Sequence, residues 1–139
     1  MNELWSCVQP VLAAIESGLH YFLGSFDGAL STLIAIAIAD YITGIFRAIA
    51  EGKLSIRIIL QELTKKLVIL VLVGTGNMIG IYLPDGSSAV RLTILYFFIY
   101  HEGSSLLGNA EAIGIPIPKI LKDTLAKLND RINSSQNEH

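Results

Sequence analysis

The sequence predicts an all-α membrane protein with three transmembrane helices, an N-terminal amphipathic helix and a C-terminal amphipathic cytoplasmic helix. The first observation is the composition: 52% of the 139 residues are hydrophobic and 16% are charged, whereas soluble chains carry about 25% charged residues. The second is three long apolar runs, which approach the roughly 20 residues that a helix needs to cross a bilayer. The third is that basic residues are concentrated in alternate connections between these runs, as in multi-pass membrane proteins.

Residues 1–27 are predicted to form an amphipathic segment that lies along the membrane surface. Their apolar residues recur at spacings of three and four, which places them on one face of a helix. Trp5 lies near this face and suits the interface between lipid and water. The segment lacks the basic start of a secretory signal peptide, so we do not expect it to be cleaved. A fourth membrane span is the alternative for this segment.

The membrane domain is predicted to extend over residues 28–110. Its three spans are predicted at 28–48, 67–83 and 88–108. At about 1.5 Å per residue, each run crosses most or all of the roughly 30 Å of hydrocarbon as a helix. Ile and Val are frequent in all three runs, but runs of this length without turn residues favour a helix over a strand.

The distribution of Lys and Arg predicts the orientation, because basic residues in short loops stay on the cytoplasmic side. The residues before Arg47 contain no Lys or Arg. The basic residues on the predicted inner side are Lys53, Arg57, Lys65, Lys66, Lys119, Lys122, Lys127 and Arg131. We therefore expect the N-terminus outside and the C-terminus on the cytoplasmic side of the membrane. Arg91, at the outer mouth of the third span, is the exception, and we expect it to snorkel into the headgroups.

Residues 111–132 are predicted to contain a cytoplasmic amphipathic helix. The Pro-rich stretch "IPIPK" interrupts the chain, and Pro118 suits the first position of a helix. An apolar stripe follows beside four basic residues. The sequence leaves three positions for this helix open: on its own protein, on the anionic inner leaflet, or in a coiled-coil contact. Residues 133–139 are too polar to bury a core and are predicted to be disordered.

Ionisable residues inside the predicted spans are the strongest indication of a functional site. Asp40 lies 12 residues into the first span, and His101 and Glu102 lie 13 and 14 residues into the third. Both spans run in the same direction, so these groups reach nearly one level. A charge at that depth costs roughly 2.5 to 3.5 kcal/mol, so it should face protein or water. His101 is the nearest candidate partner for Asp40, and Arg47 and Lys66 could reach the same layer.

Each predicted span has one face of small or polar residues. The polar layer comprises Asp40, Gly44, Arg47, His101, Glu102, Ser105 and Asn109. These residues either satisfy one another in a compact three-helix bundle or line a path for water. Three helices of one chain cannot enclose such a path, so the second interpretation requires several copies. In the second span Gly76, Asn77 and Gly80 form a pattern that is typical of close helix packing.

Several functional classes are disfavoured. The 10 basic and 12 acidic residues provide no general basic face, so we expect no nucleic-acid partner. The single cysteine, Cys7, and the scattered histidines indicate neither a disulfide scaffold nor a metal site. We expect no enzyme activity and no cofactor. Glu102 beside His101 could form a proton relay, which keeps a small proton-coupled transporter or ion channel as an alternative.

Three stretches carry a resemblance to a known family. They are "ADYITGIFRAIAEGKLSIR", "LTKKLVILVLV" and "LYFFIYHEGSSLLGNAEAIGIPIPKIL". Over about residues 30–131 the chain resembles the toxin-secretion and phage-lysis holin family. The most specific elements are Asp-Tyr-x-Thr-Gly at 40–44, Glu-Gly at 102–103 followed by Asn109, and Pro-x-Pro-Lys at 116–119. The tail departs from the family, because such proteins often end in a denser basic cluster.

The resemblance implies a small bacterial or prophage protein of the inner membrane. Such a protein accumulates harmlessly and then assembles, at a threshold, into lesions through which a folded endolysin or a toxin escapes. Its partners would be membrane lipids and further copies of itself, with the endolysin or toxin as passing cargo. A third alternative is an antiholin or structural membrane subunit, which alters the timing set by another membrane protein.

Overall fold

A computed structural model describes residues 1–85 and 88–137, and within them the chain forms five helices and no strand. The helices are α1 (Asn2–Leu23), α2 (Gly28–Ala50), α3 (Ile56–Ile81), α4 (Ala89–Ala112) and α5 (Lys119–Asn137). The predicted all-α fold class is therefore confirmed. Residues 86–87 of the second predicted loop and residues 138–139 of the tail lie outside the described residues.

Local side-chain chemistry sets the ends of several helices. The carboxylate of Asp27 accepts a hydrogen bond from the Leu30 N–H at 2.9 Å and caps the start of α2. The hydroxyl of Ser55 accepts one from the Ile58 N–H at 3.3 Å and caps α3 in the same way. These bonds satisfy backbone donors that have no partner within the helix. Glycines with positive φ follow three of the helix ends: Gly24, Gly52 and Gly114.

α4 is the central helix of the bundle. α2 packs along it most extensively and α3 also packs on it, whereas α2 and α3 touch each other only slightly. The core between these helices contains Leu30, Leu33, Val73 and Leu95, each at most 1% exposed. Because α2 and α3 make few direct contacts, polar side chains of α2, α3 and α4 can meet between them.

The outer surfaces of the bundle are strongly apolar. By length and composition, α2 is the one helix among the described residues that is a candidate to cross a membrane. Large hydrophobic side chains that it exposes are Ile38, Ile42, Phe46 and Ile49. Such a continuous apolar surface is characteristic of a helix that faces lipid. The second and third predicted spans fall mostly within α3 and α4, and their crossing of a membrane is part of the proposal below.

α1 is attached to the bundle by its last turn, because residues 1–21 are exposed. The ring of Phe22 lies where a side chain on Gly74 would be, since a Cβ there would come within 2.0 Å of the ring. The side-chain amide of Asn77 donates to the carbonyls of Tyr21 and Phe22 at 3.3 and 2.9 Å. These carbonyls belong to the last turn of α1 and accept no hydrogen bond from within that helix.

Arg91 fixes the connection between α1 and α2. Its guanidinium donates to the carbonyls of Leu23 and Ser25, both at 2.7 Å, and to the carboxylate of Asp27 at 2.8 Å. Arg91 is only 4% exposed, so the expectation that it snorkels into headgroups is wrong: the connection supplies the acceptors instead. The hydrogen bond from Arg91, followed in size by that from the Leu30 N–H, lowers the pKa of Asp27.

α5 folds back on its own chain, which is one of the positions that the sequence leaves open. It runs antiparallel to α4, with Leu125 against Gly103 and with Ile132 only 4% exposed. The helix continues to Asn137 and so includes residues 133–137, which the sequence predicts to be disordered. Burial of Ile132 near this end explains the difference, because it anchors the last turns of the helix.

The contact between Gly74 and Phe22 predicts that Gly74→Ala destabilises the protein by about 1 to 3 kcal/mol, the range for overpacking a core. Gly108→Ala is the matched control, since a Cβ on Gly108 has no neighbour within 4 Å and alanine favours a helix. Unfolding in detergent, followed by circular dichroism, measures both. Equal stability of the two variants would contradict the assigned contact.

The lowered pKa of Asp27 predicts a pH-dependent contribution to stability. The contribution is complete above the ordinary carboxyl pKa of about 4 and is lost as the pH falls through the lowered value. Asp27→Asn retains an N-cap side chain but removes the charge. We expect the variant to melt below the wild type at pH 7 and the difference in Tm to shrink below about pH 4. A difference that is independent of pH would contradict the ion pair.

Candidate functional site

The polar groups inside the bundle meet where α2, α3 and α4 come together. Lys66 of α3 lies between Asp40 of α2 and Glu102 of α4, and its Nζ donates to Asp40 Oδ2 and to Glu102 Oε2. The two carboxylates are 3% and 2% exposed, and the Lys66 side chain is 12% exposed. One ammonium group therefore joins three helices. We call Asp40, Lys66, Glu102 and Asn109 the polar node.

Asn109 satisfies the remaining oxygen of Asp40. Its Nδ2 lies 3.0 Å from Asp40 Oδ1, and 3.3 Å from both the Asp40 carbonyl and Thr43 Oγ1. The Thr43 hydroxyl donates in turn to the carbonyl of Ala39 at 2.9 Å. A Cβ on Gly44 would lie 3.5 Å from Asn109 Nδ2. Gly44 thus packs beside the amide between α2 and α4, at a distance that a Cβ would meet as ordinary van der Waals contact.

His101 lies at the edge of the node. Its Nδ1 is 3.4 Å from Glu102 Oε1, and its side chain is 62% exposed. The predicted pairing of His101 with Asp40 is wrong, because adjacent residues on a helix point about 100° apart and Glu102 is the one that faces the bundle. His101 instead borders the open side of the node, where it lines a groove.

The charges of the node balance only in part. Two carboxylates face one ammonium, so the node contains one more acidic than basic side chain. All four carboxylate oxygens have a contact within the chain. Removing one member of a buried ion pair leaves an uncompensated charge, which is strongly unfavourable. The node is therefore stable only while all three helices remain together.

A groove of about 380 Å³ opens onto the node between α3 and α4. Its lining includes Thr64, Lys65 and Ser105 beside the node residues. Ser105, predicted in the polar layer, is exposed in this groove. The single chain thus leaves one side of the node uncovered, whereas its other sides are packed against the helices.

The remaining residue of the predicted polar layer lies elsewhere. Arg47 is 44% exposed and its Nε bonds to Glu51 Oε1 at 3.0 Å, so it points towards the end of α2 and away from the node. The structure brings together Asp40, Glu102 and Asn109, with Gly44 packed beside them. His101 and Ser105 border this cluster.

The small residues of the second predicted span contact two different helices. A Cβ on Gly76 would lie 2.3 Å from Ile94 Cδ1, so Gly76 allows α3 to approach α4. Gly80 is also buried. Asn77 binds the end of α1 rather than a neighbouring span. This face of α3 is therefore occupied within the chain.

Sequence reasoning counted Lys66 among the cytoplasmic basic residues and expected that it could reach the layer of Asp40 and Glu102, but it favoured His101 as the partner of Asp40. A signal is present, because Lys66 shares one helical face with residues that the structure buries. Those residues are Ile69, Val73, Gly76 and Gly80. Lys65, one position earlier, falls off this face, is 68% exposed and pairs with Glu62 at 2.9 Å. The helical face thus distinguishes two adjacent lysines that a count of loop charges treats alike.

No metal-binding arrangement occurs among the described residues, since they contain no group of three or more His, Cys, Asp or Glu side chains that could hold an ion. The node instead holds three helices together through the contacts of one lysine and one amide with two carboxylates.

Comparison with known proteins places the chain in a family. Residues 17–130 match the bacteriophage holin family. An uncharacterized 14.9 kDa protein in the nagH 3′ region of Clostridium perfringens is 37% identical over 131 residues, which cover 94% of this chain and 99% of the relative.

Two further relatives match over similar lengths. An uncharacterized protein of Clostridium perfringens strain 13 is 32% identical over 96% of this chain and 98% of the relative. One from Halalkalibacterium halodurans is 32% identical over 92% of this chain and 96% of the relative. No solved structure matches. Because the family match extends over most of the chain, this protein belongs to the bacteriophage holin family and is a holin-like membrane protein.

Proposed function

We propose that this chain is a holin that accumulates in the bacterial cytoplasmic membrane and oligomerises into lesions that release an endolysin or a toxin. The observation that carries the proposal is the polar node. Asp40 and Glu102 lie inside a bundle with apolar outer surfaces, and both depend on Lys66 of a third helix for compensation. Such a bundle is compatible with lipid while it is closed and exposes charge when its helices separate.

In the proposed topology the chain crosses the membrane at 28–48, 67–83 and 88–108, with its N-terminus outside and its C-terminus inside. The length and composition of α2 support the first crossing. Exposed apolar residues of α3, such as Val68 and Val71, support the second. The basic connection between α2 and α3 supports the orientation, because it lies opposite the end where α1 joins α2.

The node suggests how crowding triggers the lesion. In a dilute chain the carboxylates of Asp40 and Glu102 cannot leave Lys66, because lipid offers no other partner. At high density the helices of neighbouring chains replace lipid and internal contacts, and water between chains solvates the exposed carboxylates. The excess of one acidic side chain in the node favours this hydrated state. Loss of the membrane potential shifts the same equilibrium, since moving one elementary charge across the whole field changes the free energy by about 2.3 kcal/mol per 100 mV.

The direct test is the release of a cytoplasmic reporter enzyme against time after induction. We expect growth to stop abruptly after a delay and the reporter to appear at that moment. Asp40→Leu and Glu102→Leu should change the delay or abolish killing, because each removes a charge that the hydrated state solvates. Gradual toxicity that is proportional to expression and unaffected by both variants would contradict the proposal.

Lys66→Met is predicted to lower the free energy of unfolding in detergent by about 3 to 5 kcal/mol, since it leaves two buried carboxylates without compensation. At matched amounts in the membrane, it should also shorten the delay before release. Lys65→Met is the matched control and should change stability by less than about 1 kcal/mol, because its partner Glu62 is at the surface.

Equal behaviour of the two lysine variants would contradict the role of the node. If Lys66→Met does not accumulate, the triple variant Asp40→Asn, Lys66→Met, Glu102→Gln separates charge from packing. It retains the shape of the acidic side chains without their charge. We expect it to accumulate and to release the reporter later than the wild type, because no charge then favours the hydrated state.

A small proton-coupled transporter or ion channel is the second candidate. The contact between His101 and Glu102 at the mouth of the groove favours it, because a histidine beside a carboxylate can relay protons. Vesicles that contain the purified chain distinguish the candidates. A transporter or channel passes small ions and retains a folded enzyme, whereas a holin releases both above a threshold of protein in the membrane.

A further inference from the structure

The packing of α5 along α4 conflicts with the proposed third crossing. Ile132 of α5 lies beside Thr93 and Tyr96 of α4, together with Asp130 and Arg131. Tyr96 is eight residues inside the proposed span, which corresponds to about 12 Å from its outer end. Asp130 and Arg131, both exposed, would then face hydrocarbon. A bilayer around α4 and the docked α5 therefore exclude each other.

The contact that holds α5 is apolar and local. Leu125 lies over Gly103, where a Cβ would come within 3.0 Å of Leu125 Cδ2. Leu128 packs against the edge of the core, and Ile132 is buried. A single ion pair joins the two helices near the connection, from Lys122 Nζ to Glu111 Oε1 at 2.5 Å.

That ion pair adds little to the contact, because its side chains are 55% and 49% exposed and exposed pairs contribute weakly. The connection between the helices also suits a hinge. Gly114 has a φ of 88° and is followed by the Pro-x-Pro of residues 116–118. α5 can thus leave α4 through a change in the backbone conformation of this short segment. Its polar face can then lie towards water.

We propose that α5 is a strap that covers the α4 surface through which copies of this chain associate in the membrane. The inference rests on the proposed function. Before lipid surrounds α4 the strap occupies this surface; in the lesion a second copy occupies it. The strap surface is defined by Tyr100, Gly103, Ser104, Leu107 and Gly108 of α4.

The composition of the strap surface favours a helix of a second copy as its occupant. Gly103, Ser104 and Gly108 are small, and Ser104 and Gly108 are four residues apart, which allows close approach of helices in lipid. α5 does not fill the surface: a groove of about 270 Å³ remains, and a Cβ on Gly108 would have no neighbour within 4 Å. A transmembrane helix can therefore pack on this surface more closely than α5 does.

A disulfide between positions 103 and 125 tests the strap. In a Cys7→Ser background, which removes the exposed native cysteine, Gly103→Cys and Leu125→Cys place two thiols at the contact. The full chain is purified, oxidised and added at increasing density to vesicles that contain a reporter enzyme. We expect the oxidised protein to release no reporter and the same sample to release it once a reductant is added. Release by the oxidised protein with the time course of the wild type would overturn the strap.

The controls separate this inference from the proposed function. Gly103→Cys paired with Lys127→Cys places the second thiol on the exposed side of α5. Release of the reporter by this variant should not be blocked by the oxidant. Gly103→Cys alone should form dimers between copies only after release begins; dimers that never form would contradict the assigned surface.

If the wild type itself releases nothing, the proposed function fails. If the wild type releases the reporter and the disulfide between positions 103 and 125 does not prevent release, only the strap proposal is contradicted.

A second variant acts in the opposite direction and avoids any change at Gly103. Ile132→Asn places an amide at a buried position of the strap and weakens its contact with α4. We expect release at a lower protein density than in the wild type. Ser135→Asn, at an exposed position on the same helix, is the control. An unchanged threshold for Ile132→Asn would count against the strap.

Discussion

The ammonium group of Lys66 is the interaction on which this bundle depends. α2 and α3 make few direct contacts, so the bonds from Lys66 to Asp40 and to Glu102 fix how α3 is rotated against the other two helices. Without the ammonium, two like charges would face each other at a buried site, where their repulsion is poorly screened. The hydrogen bonds from Lys66 therefore keep the bundle closed. They also bind the carboxylates that would be exposed if the bundle opened.

α4 connects this interaction to the other parts of the chain. It carries Glu102 and Asn109 of the polar node, and it also carries Arg91, which holds the connection between α1 and α2. Its remaining face is covered by α5 through Gly103. A change in the packing partners of α4 would therefore alter each of these contacts. This arrangement suits a protein that responds to the density of its own copies in the membrane.

The sequence predicts much of the fold, because apolar runs and the rise of a helix determine which residues reach one depth. Asp40 and Glu102 were expected at one depth for this reason, and Asn109 was expected on the same helical face as Glu102; the structure brings the three together. Lys66 was expected only as a residue that could reach this layer, and the position of Arg91 was not predicted, because counts of loop charge ignore the helical face on which a residue lies. The position of α5 also depends on tertiary packing, since its apolar stripe fits a protein surface and a membrane surface equally well.

The central claim is that Lys66 compensates both carboxylates in the membrane before lesions form. Solid-state NMR of the chain in bilayers at low protein density measures this directly, through dipolar coupling between ¹⁵N-labelled lysine Nζ and ¹³C-labelled carboxyl carbons. We expect one lysine signal, absent from Lys66→Met, to couple strongly in both an aspartate-labelled and a glutamate-labelled sample. A Lys66 signal that couples to neither label under these conditions would contradict the account.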